Sequence, residues 1–186
     1  MNQPSYTRGR QDRPLLEQTI GQAFAATVAR HADREALVVR HQGVRYTWQQ
    51  LAEQVDAHAR ALMALGVNTG DRVGIWAPNC AQWCILQLAT AKVGAILVNI
   101  NPAYRVAELD YVLRQSGCRW LVCADAFKTS DYHAMVQALV PELASCRTHH
   151  WAQLGAQMPT RSPVLTPSAI KARACASTCS ASCCQV

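Results

Sequence analysis

The residues of this chain whose types could do chemistry are few and loosely spaced. Gly66, Gly70 and Gly74 recur at every fourth position, and a phosphate cradle is the chemistry a glycine-rich stretch first brings to mind. Their spacing matches neither G-x-G-x-x-G nor G-x-x-x-x-G-K-[ST], the arrangements that set backbone N–H groups and a lysine against phosphates. A helix stop at Gly66 and a turn at Gly70 account for them better. The three lysines, Lys92, Lys128 and Lys171, all lie outside glycine-rich loops. Of the six histidines (His31, His41, His58, His133, His149 and His150), none forms an H-E-x-x-H pair. His31 and His58 fall on expected helices among charged neighbours, which implies solvated rings. A Cys–His or Ser–His–Asp system assembles only in the fold, and spacing neither favours nor excludes one. Cys175, Cys179, Cys183 and Cys184 form C-x3-C-x3-C-C downstream of His149 and His150, a set of zinc-ligand types. The C-x2-C knuckle that would position such thiolates is missing, so free thiols are the plainer reading. Cys80, Cys84, Cys118, Cys123 and Cys146 sit in apolar segments, as reduced core thiols do. No catalytic set and no metal-ligand set is expected.

Charge narrows the partners. The net charge is +6, yet beyond Cys146 lie four basic residues (Arg147, Arg161, Lys171, Arg173) and no acidic one. The excess belongs mostly to the tail, without a dense basic run or interleaved aromatics, so no nucleic-acid partner is expected. Met1 to Arg13 is polar and basic with no apolar core, unlike a secretory signal. No apolar stretch reaches the roughly 18–20 residues of a membrane span. These features together imply a cytoplasmic protein.

The elements that would position any site are legible as alternating periods. Leu16, Ile20, Phe24 and Val28 recur four apart, which predicts a helix over residues 15–31. Ala36 to Arg40 and Val44 to Tyr46 read as strands joined at Gln42-Gly43. Thr47, with Gln50 three residues on, opens a helix through Trp48, Leu51, Val55, Ala59, Leu62 and Leu65, and Gly66 stops it. A strand over Asp71 to Ala77 is followed by a helix capped by Asn79 and running to about Lys92. Next come a strand over Ala95 to Ile100, a helix over Val106 to Ser116, a strand over Arg119 to Ala124 and a helix over Tyr132 to Leu139. Trp48, Trp76, Trp83 and Trp120 lie on these elements as packing residues. Strand and helix alternate three times between residues 71 and 140, which predicts an α/β layered sheet of parallel strands with crossover helices.

Composition breaks near Cys146. Residues 147–186 are rich in Ala, Ser, Thr, Cys, Pro and Arg, without period 2 or 3.6, and a disordered C-terminal tail with no strand or helix is expected. The domain reading is therefore a disordered N-terminus over 1–13, one α/β unit over 14–146, and the tail over 147–186.

Several stretches go beyond a generic α/β pattern. YTWQQL (Tyr46 to Leu51) resembles the first core motif of adenylate-forming enzymes. The stretch GVNTGDRVGIWAPNCAQW (Gly66 to Trp83) is similar to their glycine–Asp–Arg–Val segment. LATAKVGAILVNINP (Leu88 to Pro102) resembles their second core motif, and ELDYVLRQSGCRWLV (Glu108 to Val122) keeps the order. ADAFKTSDY (Ala124 to Tyr132) is similar to the fatty acyl-CoA synthetase branch. On these motifs the chain resembles the amino-terminal part of an AMP-binding acyl-CoA synthetase over residues 14–146.

The resemblance implies the incomplete N-terminal portion of a synthetase large domain. The family joins a fatty acid to CoA through an acyl-adenylate, using ATP, Mg²⁺ and CoA. Its phosphate loop, metal-holding Glu, ribose-binding Asp and catalytic Lys come later in the chain and have no counterpart here, so this chain alone is expected to be inactive and to bind no cofactor. In some acetate-activating relatives a basic residue in the loop after the strand matching Arg119 to Ala124 contacts a CoA phosphate, and Lys128 falls near that place. A piece of a larger sheet also exposes strand edges and apolar helix faces, which implies self-association. The tail would then be an out-of-frame continuation from about Cys146, a matter its coding DNA decides. The alternative is a non-catalytic α/β protein-interaction module whose surfaces are covered. A zinc-binding protein built on the tail is the third reading, and it would show stoichiometric metal.

Overall fold

The computed structural model describes residues 15–140, together with Gly9, Asp12, the pair His149–His150 and Pro163–Leu165. Chain order is α1 (Ile20–His31), β1 (Glu35–Val39), β2 (Val44–Thr47), α2 (Trp48–Ala64), β3 (Arg72–Trp76), α3 (Ala81–Val93), β4 (Ile96–Ile100), α4 (Val106–Ser116), β5 (Trp120–Cys123), β6 (Ala126–Phe127), β7 (Ser130–Asp131), α5 (Tyr132–Leu139), β8 (His149–His150) and β9 (Pro163–Leu165). Strands β4, β3 and β5 are parallel neighbours, as the alternation requires. The sheet runs β4-β3-β5-β9-β8. β9 lies antiparallel to β5, with Leu121 opposite Leu165 and Val122 opposite Val164.

Two cores grip this sheet, because strand residues alternate between its faces. Val73 and Ile75, with Trp120 and Val122, meet Phe24 of α1, Leu51, Val55 and Leu62 of α2, and Ile85, Leu86 and Ala89 of α3. Trp76, Leu121 and Cys123 turn the other way, towards Leu109 of α4 and Tyr132, Val136 and Leu139 of α5. A parallel sheet covered on both faces explains why β3 and β5 read as unbroken apolar runs.

The structure corrects several expectations. α1 starts at Ile20, because Thr19 and Gln22 form a reciprocal capping box there. Leu15 and Leu16 lie outside the helix and are largely exposed. The cap of α3 is Cys80 rather than Asn79. The hairpin β6–β7 was not expected, and neither were β8 and β9, two short strands beyond Cys146. They arise where the free side of β5 accepts Pro163–Leu165. The remainder of the 1–13 and 147–186 segments read as disordered lies outside the described residues, as do Cys146 and the four tail cysteines.

His58 is the largest correction. Its charged neighbours imply a solvated ring, yet the residue is 1 % exposed. It sits three residues after Val55 and four before Leu62, on the buried stripe of α2. Nδ1 lies 2.7 Å from the Gln54 carbonyl oxygen. Burial pushes its pKa below the ordinary 6.5, against the opposing pull of that carbonyl. Above pH 6.5 the ring is neutral in folded and unfolded chains and pH has no leverage through it. Below that, the unfolded chain takes up a proton that the folded chain resists, so stability falls as pH drops. The urea midpoint is expected to hold steady from about pH 8 to about 7 and to decline from about 6.5 towards 5, a slope that His58→Leu removes. A midpoint flat across that window would show that the ring does not couple to folding.

Candidate functional site

The carboxyl ends of β3 and β5 point to the same edge of the sheet, and their connections then diverge. β3 leads to α3 on one face, and β5 leads through β6–β7 to α5 on the other. Divergence of this kind opens the crevice in which open α/β sheets hold ligands. Here it encloses about 390 Å³. Ile75, Ala77, Trp83 and Val122 contribute its apolar bed, while His41, Asn79, Cys80 and Asp125 stand among its polar groups.

The wall beside α3 is held by Gln42. Its Nε2 donates to Gln82 Oε1 at 3.0 Å, and its Oε1 accepts from the Ala81 N–H at 2.7 Å. The connection between β1 and β2 thereby caps a helix whose own cap residue gives no side-chain hydrogen bond. Across the crevice, Asp125 Oδ1 lies 3.2 Å from His133 Nε2. Sequence spacing did not single out Gln42, Gln82 or Asp125. The signal available was position, since Pro78-Asn79 and Ala124-Asp125 directly follow the two apolar runs.

Neither Cys80 nor Cys123 of the crevice is an activated nucleophile. Burial raises the Cys80 thiol pKa, against the N–H groups of Trp83 and Gln82. Cys123 is pushed up to about 12 by burial, with the Asp125 carboxylate adding to it. Both thiols are protonated at neutral pH, and a thiol in that form is a poor attacking group. The crevice lining, among the described residues, includes the Asp125 carboxylate and no lysine or arginine, a poor match to a triphosphate. Among the described residues no three His, Cys, Asp or Glu side chains are grouped to hold a metal ion. The described residues of this crevice therefore do not fit ATP·Mg²⁺.

Lys128 occupies the turn of the β6–β7 hairpin, beyond β5, with φ 53°. Its Nζ lies 5.3 Å from the centroid of the Phe127 ring. The hairpin is tied to the start of α4 by Arg105, whose Nη1 donates to Ser130 Oγ at 3.0 Å. Gly66 and Gly70 have positive φ and open space around them, in agreement with turn roles. Among the described residues His31, His41 and His133 belong to no metal-holding group, and His149 and His150 form β8. No helix among the described residues is long and apolar enough to cross a membrane.

The AMP-binding enzyme family matches residues 24–174. That match runs past Cys146, where the motifs place the end of the resemblance, so the break in composition and the family boundary do not coincide. The mitochondrial medium-chain acyl-CoA ligase ACSF2 of Mus musculus is 44 % identical over 162 residues, covering 87 % of this chain and 25 % of that protein. The chain thus spans about a quarter of the length of the curated relatives it matches. Among solved structures, the N-terminal domain of FACL13 from Mycobacterium tuberculosis superimposes with TM-score 0.60 at 27 % identity, covering 66 % of this chain and 30 % of that one. The N-terminal subdomain of NpsA from Klebsiella oxytoca does so with TM-score 0.55 at 26 % identity, covering 64 % and 32 %.

Proposed function

The chain belongs to the family of AMP-binding enzymes, and from that premise we propose that it is the amino-terminal portion of an acyl-CoA synthetase, supplying framework rather than catalytic groups. The complete reaction would join a fatty acid to CoA at the expense of ATP, with Mg²⁺ holding the phosphates. One observation carries the framework reading: among the described residues, the crevice at the carboxyl edge of the sheet presents a carboxylate and no lysine or arginine. Adenylyl transfer depends on positive groups and a metal placed against the phosphates, and an acidic wall without them opposes such charge.

Lys128 is read as one contact to a CoA phosphate in the complete enzyme, supported by its place in the hairpin after β5 and by the Arg105–Ser130 tie. A single exposed ammonium is a screened point charge and does not hold CoA by itself.

The test is ATP–pyrophosphate exchange with octanoate on the isolated chain, after circular dichroism has shown it folded. Exchange at the no-protein background is expected, and calorimetric titration with CoA should show no saturable binding. Exchange above background, or saturable CoA binding abolished by Lys128→Ala, would mean that a working site is already assembled and would overturn the framework reading.

A further inference from the structure

We propose that β4 is a self-association edge, and that its occupant is the β4 strand of a second copy of this chain, laid antiparallel about a two-fold axis at Val98. Among the described residues, β4 is the end strand of its sheet, with β3 as its hydrogen-bonded neighbour. Its register against β3 runs unbroken from Arg72–Ile96 to Trp76–Ile100, with no bulge to twist the edge away. Ala95 to Ile100 (AILVNI) carries no charge, no proline and no glycine. Proteins protect free edges with these devices, and this strand has none of them. Ile96 is 48 % exposed.

The direction of the backbone groups identifies the partner. The Ile96 N–H donates to the Asp71 carbonyl at 2.8 Å, so Ile96 faces β3. Backbone groups alternate along a strand, so Val98 and Ile100 also face β3 and the N–H and C=O of Leu97 and Asn99 point outward. Two donors and two acceptors thus stand on the open edge in a symmetric pattern about Val98. An antiparallel copy places its Asn99 opposite Leu97 and its Leu97 opposite Asn99, closing four hydrogen bonds. Val98 meets its own counterpart as the close, non-hydrogen-bonded pair between them. An uncharged strand brings no charge opposite itself, and a two-fold contact closes at two copies. This pairing is independent of the framework reading, because it concerns the strand edge and not the chemistry at the crevice.

Sedimentation equilibrium of the whole chain tests it. The weight-average mass is expected to rise with concentration from 20.4 kDa towards twice that value. Asn99→Pro deletes an outward donor and no bond to β3, so it should hold the mass at the single-chain value, whereas Asn99→Ala should associate like the parent. If Asn99→Pro does not fold, Val98→Cys answers independently. A mild oxidant should join two copies through the introduced thiols, giving a self-linked peptide found by mass spectrometry, and Leu97→Cys should give none. A parent chain that stays single, growth beyond two copies, association by folded Asn99→Pro equal to the parent, or no self-linked peptide from Val98→Cys would each overturn the proposal.

Discussion

Replacing Trp76 with alanine is expected to destabilise the fold by about 3–5 kcal/mol, the usual cost of deleting a large buried aromatic side chain. Such a loss is a large share of the roughly 5–15 kcal/mol available to a domain. Trp76 is wholly buried at the end of β3. Its ring stacks on Tyr132 with centroids 3.6 Å apart and planes 10° from parallel. Both rings also brace the segment after β4: Trp76 Nε1 donates to the Asn101 carbonyl at 3.0 Å, and the Tyr132 hydroxyl donates to the Pro102 carbonyl at 2.5 Å. Burial, with Cys123 nearby, pushes the Tyr132 phenol up to about 12, so at neutral pH it keeps the proton it donates. One residue therefore joins β3, the neighbouring strand's exit and the start of α5. Trp76→Phe, which keeps an aromatic ring and loses the N–H, separates packing from the hydrogen bond. It should cost about 1 kcal/mol for the lost bond, plus a smaller packing loss. Urea midpoints of the three proteins, followed by near-ultraviolet circular dichroism, measure these differences. A midpoint for Trp76→Ala within about 1 kcal/mol of the parent would show that the stack does not organise this edge.

Much of this architecture was open to a reader of the residues alone, and the reason is period. α2 is announced by Thr47 and Gln50 and by apolar residues at helical spacing, and the capping box forms as expected. The runs at 106–116 and 132–139 match α4 and α5 to the residue. What failed did so where a local sign competed with a tertiary one. His58 has charged neighbours, yet its position on the Leu51–Val55–Leu62 stripe decides its burial. Leu16 fits the helical period of α1, yet the Thr19 cap starts the helix after it. β9 lies outside any period because three residues completing a sheet need only an open neighbour. The crevice was not legible for a related reason. It exists because β3 and β5, separated in sequence by α3, β4 and α4, become neighbours, and Gln42 reaches it from about forty residues away.

Gly74→Val is the second large effect, expected to cost about 3 kcal/mol or more. Glycine inside a strand weakens it unless something needs the space, so its presence in the middle of β3 calls for a neighbour. The neighbours lie on the face towards α4 and α5. A Cβ at Gly74 would stand 3.1 Å from Ile100 Cδ1, 3.2 Å from Leu121 Cδ1 and 3.4 Å from Cys118 Sγ. These come from both flanking strands and from the residue pair leading into β5, so β3 gives up a side chain here to let its neighbours' tips meet over it. Alanine brings one atom into contact with flexible side-chain ends that can yield by tenths of an ångström, and should cost about 1 kcal/mol. Valine adds two further methyls to the same space, where yielding on one side tightens the other. Compensation distinguishes overpacking from simple loss of a glycine. Leu121→Ala alone should cost about 2–5 kcal/mol as a cavity, but combined with Gly74→Val the two costs should fall well short of their sum, because each fills or empties the same volume. Urea midpoints of the parent, both single variants and the double close this cycle. Costs that simply add would mean that the two residues do not share that space, and that the glycine is required for some other property of β3.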